Sequence, residues 1–307
     1  MATLLLLAPQ DPQAPRTFVY KVVEGTKIEV DLHRREGQDA LPAVIWIHGG
    51  ALITGSRQQV PKNLLEFCRA EGIALVSIDY RLAPEVKLPA IIEDLRDALA
   101  WVRGEGARAA RLDPKKEVVV GGSAGGYLTL MAGLAEPRPQ ALVAYWGYGD
   151  VDGDWYAKPS PFYREKTPLV PREEALRAVG GPVLTAPVSR ENADARGRYY
   201  RYLRQNGLWT REVTGFDPET EKAKLDPYCP VRNVTPSYPP TFLLHGTEDT
   251  DVPHELSAAM ARELARHKVA HEFVSVPGAG HGLAGGDRTR NAEAHARALD
   301  FIRKSLK

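Results

Sequence analysis

The sequence predicts an α/β fold in which helices cover both faces of a mostly parallel, eight-stranded β-sheet. Two observations support this prediction. Short, continuous apolar segments bounded by turn residues recur along the chain, and segments that are apolar on both faces are typical of buried parallel strands. Longer segments with helical periodicity lie between them, and this alternation indicates a parallel sheet with helices on both sides.

The first two strands are expected to form a hairpin. Apolar and polar residues alternate over 18–20 and again over 27–32, and Gly25 lies between these segments. Alternation of this kind is typical of strands that bury only one face. We therefore predict an antiparallel pair of edge strands.

Six further strands and five helices follow. The predicted strands cover residues 43–47, 73–78, 118–120, 141–144, 241–244 and 273–276. The predicted helices cover residues 59–70, 88–103, 124–134, 254–267 and 288–304. Ligands of such sheets bind beyond the carboxyl ends of the strands, so the loops that follow the strands are the expected place of a functional site.

The alternation stops between Gly147 and Tyr238, after the sixth strand. This segment is rich in proline, glycine and aromatic residues, and we interpret it as an insertion folded over the edge of the sheet. Its aromatic side chains either line an apolar substrate pocket or form the core of the insertion itself. The residues concerned are Trp155, Tyr156, Phe162, Tyr163, Tyr199, Tyr200, Tyr202, Trp209 and Phe216.

The charge balance argues against strongly charged partners. The chain has 307 residues, with 40 Lys and Arg against 39 Asp and Glu and a formal net charge of +1. It lacks the overall field that attracts nucleic acid or an anionic membrane surface, and we expect a small-molecule partner. Arg198, Arg201 and Arg204 recur near one face of a predicted helix in the insertion, and we interpret them as a solvated charged face.

The cysteines and the N-terminal segment each leave two interpretations open. Cys68 and Cys229 lack the spacing of a zinc site or a disulfide framework. A single long-range bridge stays open, although apolar neighbours favour a buried thiol at Cys68. Residues 1–16 are either the remnant of a secretory signal, which implies export, or a loosely packed arm of a cytoplasmic protein. Their apolar run is too short to span a bilayer, and residues 17–307 are expected to form a single domain.

The first candidate for a catalytic residue is Ser123. The β-branched run 118–120 leads into a glycine-flanked serine, and a helical pattern follows it. On a tight turn between strand and helix the serine hydroxyl is pushed out of the sheet, and Gly121 and Gly125 are needed because a Cβ there would clash. Taken alone, the motif fits an ordinary glycine turn equally well.

A catalytic serine needs a histidine as base and a carboxylate that orients the histidine. His281 lies between glycines in the loop after strand 273–276, and we predict that it is the base. The loop after strand 241–244 contains Glu248, Asp249 and Asp251. We favour Asp249 as the acid, with Asp251 as the reserve.

Backbone amides are needed to stabilise the oxyanion of a tetrahedral intermediate. Gly49 and Gly50 follow strand 43–47, and without a Cβ their amides can approach a reacting carbonyl. We predict that they form an oxyanion hole together with Ala124, whose amide lies at a helix N-terminus. His48 and His245 each end a buried strand, and we expect them to bond neighbouring backbone rather than to transfer protons.

Together, these segments resemble the α/β-hydrolases, and within that fold the hormone-sensitive-lipase-like esterases and the related bacterial esterases and lipases. The matching segments span about residues 43–282 in the order of that family, with serine, acid and histidine in the order of its triad. They are His48-Gly49-Gly50, Asp79 to Glu85 with Pro89-Ala90, Asp113-Pro114, Gly121 to Gly126, Asp249 with Val252-Pro253, and His281-Gly282.

The resemblance implies the α/β-hydrolase fold and a role for each candidate residue. Ser123 is the implied nucleophile, His281 the base and Asp249 the acid, and the oxyanion hole is the one predicted above. The resemblance implies no metal and no cofactor. Ala51 departs from the pattern, since lipase-like members carry a third glycine there. We interpret the segment Asp79-Tyr80-Arg81 as structural support for the site.

The predicted function is a serine carboxylesterase that cleaves esters of short or medium acyl chains through an acyl-enzyme intermediate. An acyl-sugar (feruloyl or acetyl) esterase and a prolyl-oligopeptidase-like serine peptidase are the alternatives among enzymes. A hydrolase-fold protein that only binds a ligand is an alternative of another class. Such proteins usually lack a member of the triad, whereas all three are present here.

Overall fold

The computed structural model describes residues 14–35, 37 and 39–307. Its strands are β1 (Arg16–Val23), β2 (Thr26–His33), β3 (Leu41–Ile47), β4 (Ala74–Ile78), β5 (Leu112–Gly122), β6 (Ala141–Tyr145), β7 (Thr241–Gly246) and β8 (His271–Val276). The expectations for residues 1–13 lie outside the described residues, and Arg16 already belongs to the sheet.

The helices between and after these strands are α1 (Lys62–Glu71), α2 (Leu88–Arg103), α3 (Glu105–Ala109), α4 (Ala124–Ala132), α5 (Asp154–Ala157), α6 (Pro161–Glu165), α7 (Arg172–Leu176), α8 (Arg190–Asn206), α9 (Trp209–Thr214), α10 (Lys222–Leu225), α11 (His254–Arg266) and α12 (Arg288–Ser305). Short 3₁₀ turns cover Asp226–Tyr228, Pro230–Arg232 and His281–Leu283. None of the described helices is both long enough and apolar enough to cross a bilayer.

The strands form one sheet in the order β1-β2-β4-β3-β5-β6-β7-β8. β2 pairs antiparallel with β1 and with β4, and the pairs from β4 through β3 to β8 are parallel. The predicted mostly parallel, eight-stranded sheet is therefore confirmed. Of the predicted edge pair, only β1 lies at an edge, because β2 also pairs with β4, with Val30 opposite Ile78.

Helices cover both faces of the sheet, and β3 shows how the sequence produces two cores. Val44 and Trp46 belong to the core beneath α1 and α12, whereas Ile45 and Ile47 belong to the core beneath α2, α4 and α11. Successive side chains of a strand point to opposite faces, so a strand that is buried on both faces has to be apolar throughout. β8, at the second edge, is only partly buried.

The five predicted helices are present as α1, α2, α4, α11 and α12, and α2 has the predicted bounds. Helix α1 begins three residues later than predicted, at Lys62, because Pro61 with extended backbone angles occupies its N-cap. It ends at Gly72, which adopts a left-handed φ of 69°, a conformation that glycine adopts without strain. Helix α3 was not predicted, since five residues are too few to display a period.

The insertion between β6 and β7 is helical and contains α5 to α10. Tyr156, Tyr199 and Trp209 are buried, and the ring of Tyr156 stacks on Trp155 and Trp209 at centroid distances of 3.5 and 3.7 Å. These buried rings therefore form the core of the insertion. Trp155 also lines a cleft of about 250 Å³ together with Phe162.

Both cysteines are free and buried. The long-range bridge between Cys68 and Cys229 is therefore not formed, and the interpretation of Cys68 as a buried thiol is confirmed. Burial raises the pKa of each thiol to about 12, which keeps both sulfurs in the unreactive thiol form near neutral pH.

Candidate active site

Ser123 lies on a strained turn between β5 and α4. Its backbone adopts φ 56° and ψ −121°, and a non-glycine residue in this region stores strain that the surrounding structure must hold. A Cβ at Gly121 would lie 2.3 Å from the carbonyl oxygen of Gly125, and one at Gly125 would lie 2.1 Å from that of Ile47. The glycines therefore let the turn close against β3, as the motif predicted.

Ser123, His281 and Asp249 form one chain of hydrogen bonds. Nε2 of His281 lies 3.1 Å from Oγ of Ser123, and Nδ1 of His281 lies 2.7 Å from Oδ2 of Asp249. The three residues come from the loops after β5, β7 and β8, whose carboxyl ends meet at the same edge of the parallel sheet. The structure thus brings together the three side chains that the sequence singled out.

The Asp249 carboxylate accepts hydrogen bonds on both oxygens. Oδ1 accepts from the amides of Asp251 and Val252, each at 2.9 Å, and Oδ2 accepts from His281 and from His245. Burial raises the pKa of this carboxyl, but the hydrogen bonds from the two histidines outweigh burial and hold the pKa well below its usual value. Asp249 therefore stays ionised and can orient the His281 ring.

The pKa of His281 is raised above the usual imidazole value. Burial lowers it, but the hydrogen bond to Asp249 and the charges of Asp251 and Asp249 raise it by more, with a smaller opposing effect from Arg204. His281 is thus a stronger base than a free imidazole. This favours its role as the general base that accepts the Ser123 proton.

His245 contacts the acid directly, which the sequence did not indicate. Its Nε2 lies 3.0 Å from the Val252 carbonyl oxygen and 3.2 Å from Oδ2 of Asp249, while its Nδ1 lies 2.7 Å from Oγ of Ser257. A carbonyl oxygen only accepts hydrogen bonds, so Nε2 carries the proton. The expected backbone bond is present. The second contact had no signal in the sequence, because a four-residue spacing brings side chains together only within a helix, and His245 belongs to β7.

His48 behaves as expected for a histidine that ends a buried strand. Its Nδ1 donates to the carbonyl oxygen of Gly49 at 2.8 Å, and its ring stacks on Tyr80 at 4.3 Å. Burial lowers the pKa of His48 to about 4, so the ring is neutral and serves as packing beneath the loop that follows β3.

The loop after β3 places Gly49 and Gly50 next to Ser123. A Cβ on Gly49 would lie 3.3 Å from Cβ of Ser123, and Gly50 adopts a φ of 105° that is accessible to glycine. Ala124 begins helix α4, so its amide belongs to the first turn, whose N–H groups lack intrahelical partners. Ala51, the residue that replaces a third glycine, is held at a left-handed φ of 56°.

The segment Asp79-Tyr80-Arg81 lies beneath this loop and is buried. The Tyr80 hydroxyl donates to the carbonyl oxygen of His48 at 3.1 Å. Asp79 pairs with Arg57, and Arg81 pairs with Asp94 at 2.8 Å. These contacts lie within the protein interior and agree with the structural interpretation.

The interpretation of the insertion arginines as a solvated face is wrong for Arg204. Its side chain is only 3% exposed and lies 2.7 Å from Oδ1 of Asp251. Arg198, by contrast, is 40% exposed and pairs with Glu174 at the surface. A long-range ion pair decided the position of Arg204, and the local charge pattern carried no sign of it.

The sheet topology together with a serine on the turn between β5 and α4 defines the architecture of an α/β-hydrolase. The sequence profile of the BD-FAE family matches residues 30–152, and that of the prolyl oligopeptidase family matches residues 197–307. Both profiles therefore cover parts of the chain that carry candidate site residues.

Two curated proteins show the range of relatives. The chain is 29% identical to esterase LipC of Mycobacterium tuberculosis over 277 residues, which cover 88% of this chain and 60% of LipC. It is 28% identical to the non-reducing polyketide synthase atr1 of Stereocaulon alpinum over 297 residues, which cover 86% of this chain and 12% of the synthase. The chain thus spans only part of each of these relatives.

Solved structures share the fold over nearly the whole chain. An acetyl ester-xyloside bifunctional hydrolase from Caldicellulosiruptor lactoaceticus aligns with a TM-score of 0.68 at 18% identity, covering 97% of this chain and 98% of that one. The esterase Est2 of Thermogutta terrifontis aligns with a TM-score of 0.65 at 22% identity, covering 96% and 94%. The chain has the α/β-hydrolase fold, and the proteins that it resembles include esterases.

Proposed function

We propose that this protein is a serine carboxylesterase that cleaves esters of short or medium acyl chains through an acyl-enzyme intermediate. The observation that carries this proposal is the hydrogen-bonded chain from Ser123 through His281 to Asp249. A serine hydroxyl becomes a nucleophile when a base lies within hydrogen-bond reach and a third group orients that base. The resemblance to esterase LipC supports ester hydrolysis as the reaction.

In the first half-reaction Oγ of Ser123 bonds to the ester carbonyl carbon while Nε2 of His281 takes the hydroxyl proton. The carbonyl oxygen becomes an oxyanion, which the amides of Gly49, Gly50 and Ala124 stabilise. Collapse of the intermediate breaks the bond to the alcohol oxygen, which receives the proton from His281. Asp249 stabilises the imidazolium that forms in between.

In the second half-reaction water attacks the acyl-enzyme. His281 takes a proton from the water and returns it to Oγ of Ser123 as the carboxylic acid leaves. The same base and the same oxyanion donors therefore serve both steps, and the residues of the site provide every proton transfer that the reaction needs.

An ester whose alcohol is a sugar is a second candidate substrate. The Caldicellulosiruptor lactoaceticus protein of the same fold is described as an acetyl ester-xyloside bifunctional hydrolase, and the BD-FAE profile matches residues 30–152, which contain Ser123. Peptide hydrolysis is the third candidate, because the prolyl oligopeptidase profile matches residues 197–307, which contain Asp249 and His281.

Turnover of p-nitrophenyl acetate and butyrate by the protein and by Ser123→Ala tests the proposal. We expect the substitution to lower kcat by at least about 10³-fold, since removal of a triad serine costs on the order of 10⁶-fold in a well-studied protease. Undiminished turnover in Ser123→Ala would contradict the assignment. A parallel panel of sugar acetates and peptide anilides separates the three substrate classes by their kcat/KM.

A further inference from the structure

A second carboxylate lies beside the reacting groups and has no part in the mechanism above. Oδ2 of Asp251 is 3.7 Å from Nε2 of His281, the nitrogen that also bonds Oγ of Ser123. This distance is too long for a hydrogen bond, and Asp249 already binds the opposite nitrogen of the ring. Asp251 is therefore not the orienting acid, but it faces the place where the substrate reacts.

The two oxygens of Asp251 have different surroundings. Oδ1 accepts hydrogen bonds from the hydroxyl of Tyr163 at 3.0 Å, from the hydroxyl of Tyr200 at 2.5 Å and from Nη1 of Arg204 at 2.7 Å. These three donors all come from the insertion, and they hold the carboxylate in one orientation. That orientation directs Oδ2 toward His281, so a fixed acceptor borders the reacting centre.

The charge of this carboxylate is balanced. Arg204 also donates to the backbone oxygen of Asp251 at 2.9 Å, and its guanidinium lies 4.9 Å from the ring centroid of Tyr156 and 5.0 Å from that of Tyr163. The buried guanidinium thus provides a counter-charge on the Oδ1 side of the carboxylate. Oδ2, on the side of His281, is left to accept a hydrogen bond from the substrate.

The position of Oδ2 indicates which part of the substrate it meets. Nε2 of His281 has to reach the leaving alcohol oxygen within about 3 Å in order to protonate it. Oδ2 therefore lies next to the alcohol part of the ester, about one or two carbon atoms beyond the bond that breaks. A hydroxyl group at that distance can donate to Oδ2 while the ester carbonyl occupies the oxyanion hole.

On the basis of the proposed function, we propose that Asp251 selects esters of polyols or sugars by accepting a hydrogen bond from a hydroxyl adjacent to the scissile ester. The carboxylate also disfavours an alcohol part that offers only acceptor oxygens, because two acceptors then face each other. Asp251 is thus a specificity-determining residue, and the insertion sets its orientation.

The test compares 2-hydroxyethyl acetate with 2-methoxyethyl acetate, which differ in whether the second oxygen can donate. We expect the protein to prefer the hydroxyethyl ester in kcat/KM by about tenfold or more, the usual strength of a hydrogen bond to a charged group. In Asp251→Asn the three donors fix the amide oxygen at the place of Oδ1, so the amide NH₂ faces the substrate. The preference should then fall to about one or reverse.

Glu248→Gln is the matched control, because Glu248 is an exposed carboxylate in the same loop and should leave the preference unchanged. The ratio of the two kcat/KM values can be measured in the unsubstituted protein. The proposal can therefore be tested even if Asp251→Asn does not fold. A ratio near one in the unsubstituted protein, or an unchanged ratio in Asp251→Asn, would overturn the role of Asp251 while ester hydrolysis stands. Failure to hydrolyse any ester, p-nitrophenyl acetate included, would overturn the proposed function and this role with it.

Discussion

The sheet and the insertion use buried side chains in opposite ways. In the sheet, β3 to β7 bury aliphatic residues on both faces, and their burial needs no particular partner. In the insertion, helix α8 buries the charged side chains of Arg196 and Arg204, and each needs a partner elsewhere in the chain. The sheet thus provides the scaffold for the catalytic loops, whereas the insertion fixes the loops by specific polar contacts.

Helix α8 carries these contacts on one face. Arg196, Tyr200 and Arg204 are spaced by four residues and therefore lie on the same side of the helix. Nε of Arg196 donates to the carbonyl oxygen of Ile53 at 2.6 Å, in the loop that contains the predicted oxyanion donors. Tyr200 and Arg204 bind Asp251, two residues after the predicted acid.

A third contact from the insertion reaches the same loop. The indole N–H of Trp209 donates to the carbonyl oxygen of Ala51 at 3.1 Å, and Ala51 is one of two consecutive residues with a left-handed φ. Strained backbone persists only where its surroundings hold it. We therefore interpret the insertion as a support for the catalytic loops.

The largest expected effect on stability is that of Arg196→Met. Arg196 pairs with Glu85 at 2.8 Å, and both side chains are at least 96% buried. Loss of the guanidinium leaves a buried carboxylate without its counter-charge, which costs about 3–5 kcal/mol. Urea unfolding of the variant should show a matching decrease in the free energy of unfolding.

Arg198→Met is the control for this prediction, because it removes an exposed pair two residues further along the same helix. It should change the free energy of unfolding by no more than about 1 kcal/mol. Equal effects of the two substitutions would contradict the view that α8 acts through its buried arginines. Partial recovery in Arg196→Met combined with Glu85→Leu would support it further.

A pair of glycine substitutions contrasts the two regions directly. In the scaffold, a Cβ on Gly125 would lie 2.1 Å from the carbonyl oxygen of Ile47. A Cβ on Gly197 in α8 would have no neighbouring atom within 4 Å among the residues that the structure describes. We expect Gly125→Ala to lower the free energy of unfolding by about 3 kcal/mol, the upper end of the usual cost of overpacking. Gly197→Ala should raise it by about 1 kcal/mol through helix propensity.

Thermal unfolding of both variants measures this contrast. The melting temperature should fall for Gly125→Ala and rise for Gly197→Ala. A stable, active Gly125→Ala protein would show that the serine turn does not need the close approach to β3. A destabilised Gly197→Ala protein would contradict the open space that the structure shows beside Gly197, because the added methyl group would then have met a neighbouring atom.

The smallest expected effect is a shift in the pH dependence of kcat/KM. His281 has to be neutral to accept a proton, so activity falls as pH drops through its pKa, and that pKa is raised in part by the charge of Asp251. Asp251→Asn removes this charge and leaves Arg204 uncompensated, and both changes lower the pKa of His281. The acid limb should therefore move to lower pH.

Initial rates with p-nitrophenyl acetate between pH 4 and pH 9 measure this shift. Glu248→Gln is the control, and its acid limb should lie at the same pH as that of the unsubstituted protein. An acid limb that stays in place or moves to higher pH in Asp251→Asn would contradict an electrostatic effect of the insertion on His281. The measurement therefore tests whether the carboxylate held by α8 acts on the catalytic base.

The strands of the sheet and the candidate site residues at its carboxyl edge could be predicted from the sequence. Apolar runs mark strands that are buried on both faces, and glycines next to Ser123 and His281 mark the loops that follow them. These signals are local, because each depends on residues within a few positions. The catalytic roles of the three side chains stay predictions that the geometry supports.

The contacts of the insertion could not be found in this way. Arg196 and the carbonyl group of Ile53 are 143 residues apart in sequence, and a charged residue on a helix is solvated far more often than it is buried. The short helices α5, α6, α7, α9 and α10 have four to six residues each, so they display no period. The four-residue spacing of Arg196, Tyr200 and Arg204 places them on one side of a helix. It does not distinguish a buried face from a solvated one, and only the position of Asp251 in the fold does so.

Covalent labelling with a fluorophosphonate, followed by peptide mass analysis, tests directly whether Ser123 is the nucleophile, because only an activated serine reacts with this probe. We expect one adduct per chain on the peptide that contains Ser123, no adduct at that peptide in Ser123→Ala, and labelling that is slower by several orders of magnitude in His281→Ala. A folded protein that stays unlabelled, or that is labelled at a different serine, would contradict the assignment of Ser123 as the nucleophile.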